Sequence, residues 1–78
     1  MGKISESEAK EVAIVGEYIT LGQFLKFARI IAEGGMAKSY LASKKVLVNQ
    51  VDENRRGRKL RPGDVVVLEE GTYKIVSK

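Results

Sequence analysis

Three stretches of the chain carry a readable hydrophobic period. Across residues 11–19, Val12, Ile14, Val15 and Ile19 around Gly16 predict extended backbone, one or two short strands broken at the glycine. From Thr20 the period changes. Leu21, Phe24, Leu25, Ala28, Ile31 and Ala32 recur at helical spacing and define one face aimed at a core. Thr20 and Gln23 fit a capping box, in which the threonine hydroxyl accepts the amide of Gln23 and the glutamine reaches back. This helix is expected to run until Gly34-Gly35, with one of those glycines left-handed. A second short helix, residues 36–43, buries Ala37, Tyr40 and Leu41, and the two-residue link makes the helices neighbours in a helix–turn–helix arrangement.

The remainder reads as strands. Val46-Leu47-Val48 is short and β-branched. Arg61-Pro62-Gly63-Asp64 sets Pro and Gly at the centre of a type II turn. Residues 65–68 and 72–76 follow as a hairpin across Glu69-Glu70-Gly71. Helix, helix, then antiparallel strands predicts an α+β fold: two short packed helices on a small antiparallel sheet. Residues 1–10, polar and free of any apolar run, are expected to be a flexible tail that is neither signal peptide nor anchor, and residues 11–78 a single domain.

Composition narrows the function. The 78 residues include no Cys and no His, which removes disulfides, thiolate chemistry, the commonest general base and the commonest transition-metal ligand. With no Trp, two Phe and three Tyr, a large aromatic cofactor pocket is not expected. Apolar residues, at 44%, suffice for one compact core. The longest apolar runs are four residues, against about 20 for a membrane span. A cysteine-free chain of this kind is expected in the cytoplasm.

The net charge of +4 is unevenly spread. Residues 26–61 hold ten basic side chains against Glu33, Asp52 and Glu53, a net +7, while both flanks are acidic. Such segregation is the footprint of a polyanion partner, although a basic face that is merely solvated has the same look. On the first helix, Lys26 and Arg29 share a face, where Arg29 either serves that surface or pairs with Glu33. Lys38 and Lys45, seven apart, mark one side of the second helix and its exit. Gly34-Gly35 is either a plain turn or a backbone that a phosphate could approach.

Catalytic readings fail in turn. No serine has a histidine to activate it, and no nucleophile elbow or GxxxxGK[ST] loop is present. Asp52-Glu53 and Glu69-Glu70 are adjacent, solvated acids of the kind that rarely acquires split pKa values, and no carboxylates converge for a hard cation. No enzyme, cofactor or metal is expected. Asn54-Arg55-Arg56-Gly57-Arg58-Lys59 differs: four cations in five positions, with guanidinium forks suited to phosphate. The apolar-poor stretch 49–59 is expected to be an exposed, flexible loop, so changing its four cations to Ser should spare the fold.

These residues resemble a known family. Leu21 with Phe24-Leu25, Ala37-Lys38 with Leu41, Val46-Leu47-Val48-Asn49 and Leu60-Arg61-Pro62-Gly63-Asp64 follow, in order and spacing, the RNA-binding domain named after small-subunit ribosomal protein S-four. The resemblance spans residues 19–68, and the 34–38 and 54–60 segments look closer still to small free-standing YaaA-like proteins of bacteria. It implies two helices on a small antiparallel sheet (the αL RNA-binding motif) and structured RNA, above all ribosomal RNA, as the ligand. The ribosome or an assembly intermediate is the implied setting. Thr20 and Gly34 stand where many members carry Arg, Lys44 stands at the usual glycine, and Asn49-Gln50 replaces an Asn-Gly turn. The cations have moved accordingly, and the candidate RNA contacts are Lys26, Arg29, Gly35, Lys38, Lys44, Lys45, Arg55, Arg56, Arg58 and Lys59. A monomer is expected.

Two other readings stay open. A helix–turn–helix DNA binder would need base-reading side chains that the short second helix lacks. A protein-interaction module would use Phe27 and Ile30, off the main stripe of the first helix, although packing under the amino-terminal strand accounts for them as well.

Overall fold

The computed structural model describes residues 9–78, so most of the expected tail lies outside the described residues. Strand β1 (Lys10–Ile14) leads through a left-handed Gly16 to the short β2 (Ile19–Thr20), and helix α1 (Leu21–Phe27) follows directly. A 3-10 turn, Gly34–Met36, precedes α2 (Ala37–Ser43). Then come β3 (Leu47–Val48), β4 (Val51–Asp52), β5 (Lys59–Leu60), β6 (Val65–Leu68) and β7 (Gly71–Ser77). The α+β class is as the pattern implied. Five strands form one sheet in the order β1-β7-β6-β3-β4, while β2 and β5 pair separately. The pairs are antiparallel except β1 with β7, which runs parallel from Lys10 opposite Tyr73 to Ile14 opposite Ser77. Such a pair needs a long crossover, and here the helices and most of the sheet supply it.

Strand alternation sends Val12, Ile14, Val48, Val66, Leu68, Tyr73 and Ile75 into the core against Leu21, Phe24 and Leu25 of α1 and Ala37 and Leu41 of α2. Phe24 and Tyr73 meet edge to face at 5.5 Å between ring centroids, the geometry the aromatic quadrupole favours. Two turns behave as their residues require. Gly63 is left-handed at φ +101° and the Asp64 amide returns to the Arg61 carbonyl at 2.9 Å, a type II turn. Asn49 and Gln50 both have positive φ, so β3 and β4 join through a type I′ turn. The Asn49 side chain locks it by accepting the Val65 amide at 3.0 Å and donating to Asp64 Oδ1 at 3.1 Å.

Helix α1 starts as its capping box dictates but ends at Phe27, well short of Gly34. Arg29 adopts φ +63°, its amide donates to the Lys26 carbonyl at 3.0 Å, and the Ile30 amide donates to the Leu25 carbonyl at 2.8 Å. That pair of bonds is a Schellman cap with arginine at the position glycine usually takes. Ile31 therefore reaches the core from the turn and not from a helix, which is why its helical spacing misleads. The expected left-handed glycine after the helix is absent, since neither Gly34 nor Gly35 has positive φ. Phe27 does not pack under β1 either; it is exposed, while Ile30 is partly buried against the core.

Helix α2 is tied to the β6–β7 turn. The Tyr40 hydroxyl donates to Glu70 Oε1 at 2.7 Å, and burial, together with that carboxylate, pushes its ionisation up. Lys44 reaches Glu69 at 3.3 Å. Among the described residues, no helix is long and apolar enough to cross a membrane.

Candidate nucleic-acid interface

The basic segment between β4 and β5 is a folded strap laid over the start of α1. Because β5 pairs with β2, Lys59 opposite Thr20 and Leu60 opposite Ile19, the chain entering β5 must pass the first turn of the helix that leaves β2. That turn has amides with no partner inside the helix. The Leu21 amide donates to the Arg58 carbonyl at 2.8 Å, the Gly22 amide to the Arg56 carbonyl at 2.9 Å, and the Gln23 amide to Thr20 Oγ1 at 3.2 Å. The helix terminus is thus spent on holding the strap, on which Arg55, Arg56 and Lys59 are exposed.

Gly22 makes the close approach possible. A Cβ there would lie 3.3 Å from the Arg56 Cβ and 3.4 Å from its carbonyl oxygen. Glu53 anchors the strap's other end. Its side chain is only 7% exposed; it accepts Arg55 Nε at 2.9 Å, Arg55 Nη2 and the Arg55 amide at 3.1 Å each, and Arg58 Nη1 at 3.4 Å. Chiefly through the Arg55 hydrogen bond, and against the opposing effect of burial, its pKa falls from the ordinary 4.5 to about 2. Most of residues 49–59 are exposed, as expected, and so is Asp52, but Glu53 is not a solvated acid: it and its two arginines organise the segment. Stripping the strap of all its cations would leave the Glu53 carboxylate only the amide of residue 55, so that change is expected to cost stability and not to spare the fold.

The candidate residues divide into groups. Arg55, Arg58 and Lys59 line one groove of about 490 Å³ with Gly57, Arg61 and Asp64. Arg56 and Lys26 line a second, about 440 Å³, with Gly22, Gln23 and Gly34, and Gly57 is common to both. This is one continuous surface. Lys38 is exposed on α2 next to Ala37, which also lines the second groove, and Gly35 lies exposed in the turn beside Gly34. Lys44 and Lys45 sit elsewhere, in a separate depression; Lys45 lies two residues beyond α2 and faces Asp52 at 3.6 Å. Arg29 caps α1 and forms no ion pair with Glu33. Among the described residues, Lys26, Arg29, Lys38, Arg56, Lys59 and Arg61 have no carboxylate within 4.0 Å.

Three residues of this surface escaped the sequence pattern. Gly22 and Glu53 act through contacts across the fold. Tyr18 has Lys59 Nζ 5.0 Å and Arg61 Cζ 5.9 Å from its ring centroid, and its only local signal is an aromatic ring before a cap.

Two short helices on a small, mostly antiparallel sheet are the architecture expected of the S4 domain. That family matches residues 12–76, and the chain belongs to it. The chain is also 53% identical over 70 residues to the probable ribosome maturation protein RlbA of Bacillus subtilis (strain 168), an alignment covering 88% of this chain and 99% of that protein.

Proposed function

We propose that this protein is a non-enzymatic, monomeric RNA-binding module of the cytoplasm that docks on structured ribosomal RNA and serves ribosome maturation. The observation carrying the reading is the strap: its main chain is bonded to the first turn of α1, which sets its cationic side chains next to Lys26, in an S4 domain whose relative is named for ribosome maturation. Guanidinium and ammonium groups held in place at a helix start offer a phosphate backbone a charged surface with little ordering left to do. Arg56 and Lys59, without acidic partners, and Lys26 beside them are the first contacts, with Arg55 and Arg58 adding charge from their bonds to Glu53. Lys38 and Gly35 extend the surface, whereas Lys44, Lys45 and Arg29 lie at its margins.

Crosslinking the protein to RNA in cells and sequencing the attached fragments tests the reading. Fragments concentrated in ribosomal RNA are expected, and a random spread or messenger RNA alone would remove the ribosomal claim. In vitro, affinity for folded RNA should fall steeply with salt, each neutralised phosphate adding about 0.7–0.9 to the log–log slope. Duplex DNA should bind weakly. The triple change Lys26→Ser, Arg56→Ser, Lys59→Ser should lower that slope by about 2–3, and an unchanged slope would displace the strap as the site.

A further inference from the structure

The loop between β1 and β2 presents apolar groups that the core does not use. Val15 is 81% exposed and Tyr18 42%, and Phe27 at the end of α1 is 61% exposed. Together with Ile14 and Ile19 they line a groove of about 680 Å³. Its lining side chains include Lys26 and Lys78 and no carboxylate. The groove is continuous with the basic surface, because Gln23 and Lys26 line both. At its edge, Lys59 Nζ and Arg61 Cζ lie over the Tyr18 ring, 5.0 Å and 5.9 Å from its centroid. Gln23 uses its Oε1 to accept the Thr20 amide at 3.0 Å, and its NH2 group has no partner among the described residues.

An aromatic ring with cations gathered over it, and no acid among the groove's side chains, match the needs of an unpaired nucleotide. The base takes the ring face, and the flanking phosphates take the charges. An apolar protein segment would gain nothing from the crowd of cations at the rim. We propose that this groove holds an unpaired base of the bound RNA, stacked on Tyr18, with Lys59, Arg61 and Lys26 on its flanking phosphates and the Gln23 NH2 group available to its edge. The strap then grips paired RNA, and the groove selects a site where the helix is interrupted. This rests on the RNA-binding reading above and adds what kind of RNA structure is chosen.

Two RNA hairpins with the same stem supply the test, one fully paired and one carrying a single bulged 2-aminopurine. The wild-type protein should bind the bulged hairpin more tightly and quench its fluorescence as the base stacks. Tyr18→Leu should weaken bulged-hairpin binding roughly ten- to hundredfold, leave the paired hairpin unchanged and abolish the quench. Tyr18→Phe, which keeps the ring, should retain both the affinity and the quench. Phe27→Ser, at a more exposed position, is the second groove variant and should lower affinity for the bulged hairpin only. Equal wild-type affinity for the two hairpins, or equal weakening of both by Tyr18→Leu in a protein that still melts normally, overturns the proposal. So does a Tyr18→Leu protein that binds both hairpins as before but loses a protein partner. If neither hairpin binds at low salt, the RNA-binding reading itself falls. If both bind through the strap without regard to the bulge, only this inference does.

Discussion

The Gly22 amide donates to the Arg56 carbonyl at 2.9 Å across a gap that a Cβ on Gly22 would close to 3.3 Å from the Arg56 side chain. One glycine thereby ties the placement of the basic strap to the first turn of α1. Gly22→Val adds an isopropyl group at this contact and should cost about 1–3 kcal/mol, the range for overpacking, while shifting the strap. Thermal melting reads the first effect and RNA titration the second. Gly22→Ala should come closer to neutral, because alanine returns about 1 kcal/mol of helix propensity.

Glu53 predicts an acid-sensitive step. Its folded pKa, about 2, lies below the ordinary 4.5, so its contribution is complete above 4.5 and is lost as the pH falls through about 2. Between those limits the native protein should lose stability faster than a Glu53→Gln variant. At pH 7 the variant should be less stable by about 1 kcal/mol, a modest figure because Arg55 is 72% exposed. Melting curves of the two proteins at pH 7, 4 and 2.5 check both statements, and parallel curves would contradict them.

Arg29 holds a left-handed conformation that costs a residue with a Cβ about 1 kcal/mol or more. Arg29→Gly should therefore raise the melting temperature by several degrees, about 1 kcal/mol corresponding to roughly 4–8 °C in a small domain. Arg29→Val, β-branched in the same conformation, should lower it.

Changing Arg55, Arg56, Arg58 and Lys59 together to Ser should lower the melting temperature, because Glu53 loses both guanidinium partners. Adding Glu53→Gln to that variant should recover part of the loss. The triple change at Lys26, Arg56 and Lys59 should melt close to the wild type, since none of the three forms an ion pair. Differential scanning of the three variants separates strap architecture from RNA contact.

The sequence by itself determined what near neighbours decide. Thr20 and Gln23 mark the start of α1, Pro62-Gly63 marks a turn, and the strands alternate as their β-branched runs require. The order of these signals was enough to identify the S4 domain, whose elements are built from short-range patterns. Only the tertiary structure decided where α1 ends: a Schellman turn closes it at Arg29, and from there Ile31 is buried in the core and Ile30 packs against it. The parallel β1–β7 pair likewise joins segments from opposite ends of the chain. The strap shows the division most clearly. Its charge was plain in the sequence, but whether Arg55 and Arg58 hang free or close on Glu53 depends on the burial of one carboxylate and on the amides of a helix far back along the chain. Periodicity reports which face of an element turns inward; desolvation and long-range hydrogen bonds exist only once distant elements have met.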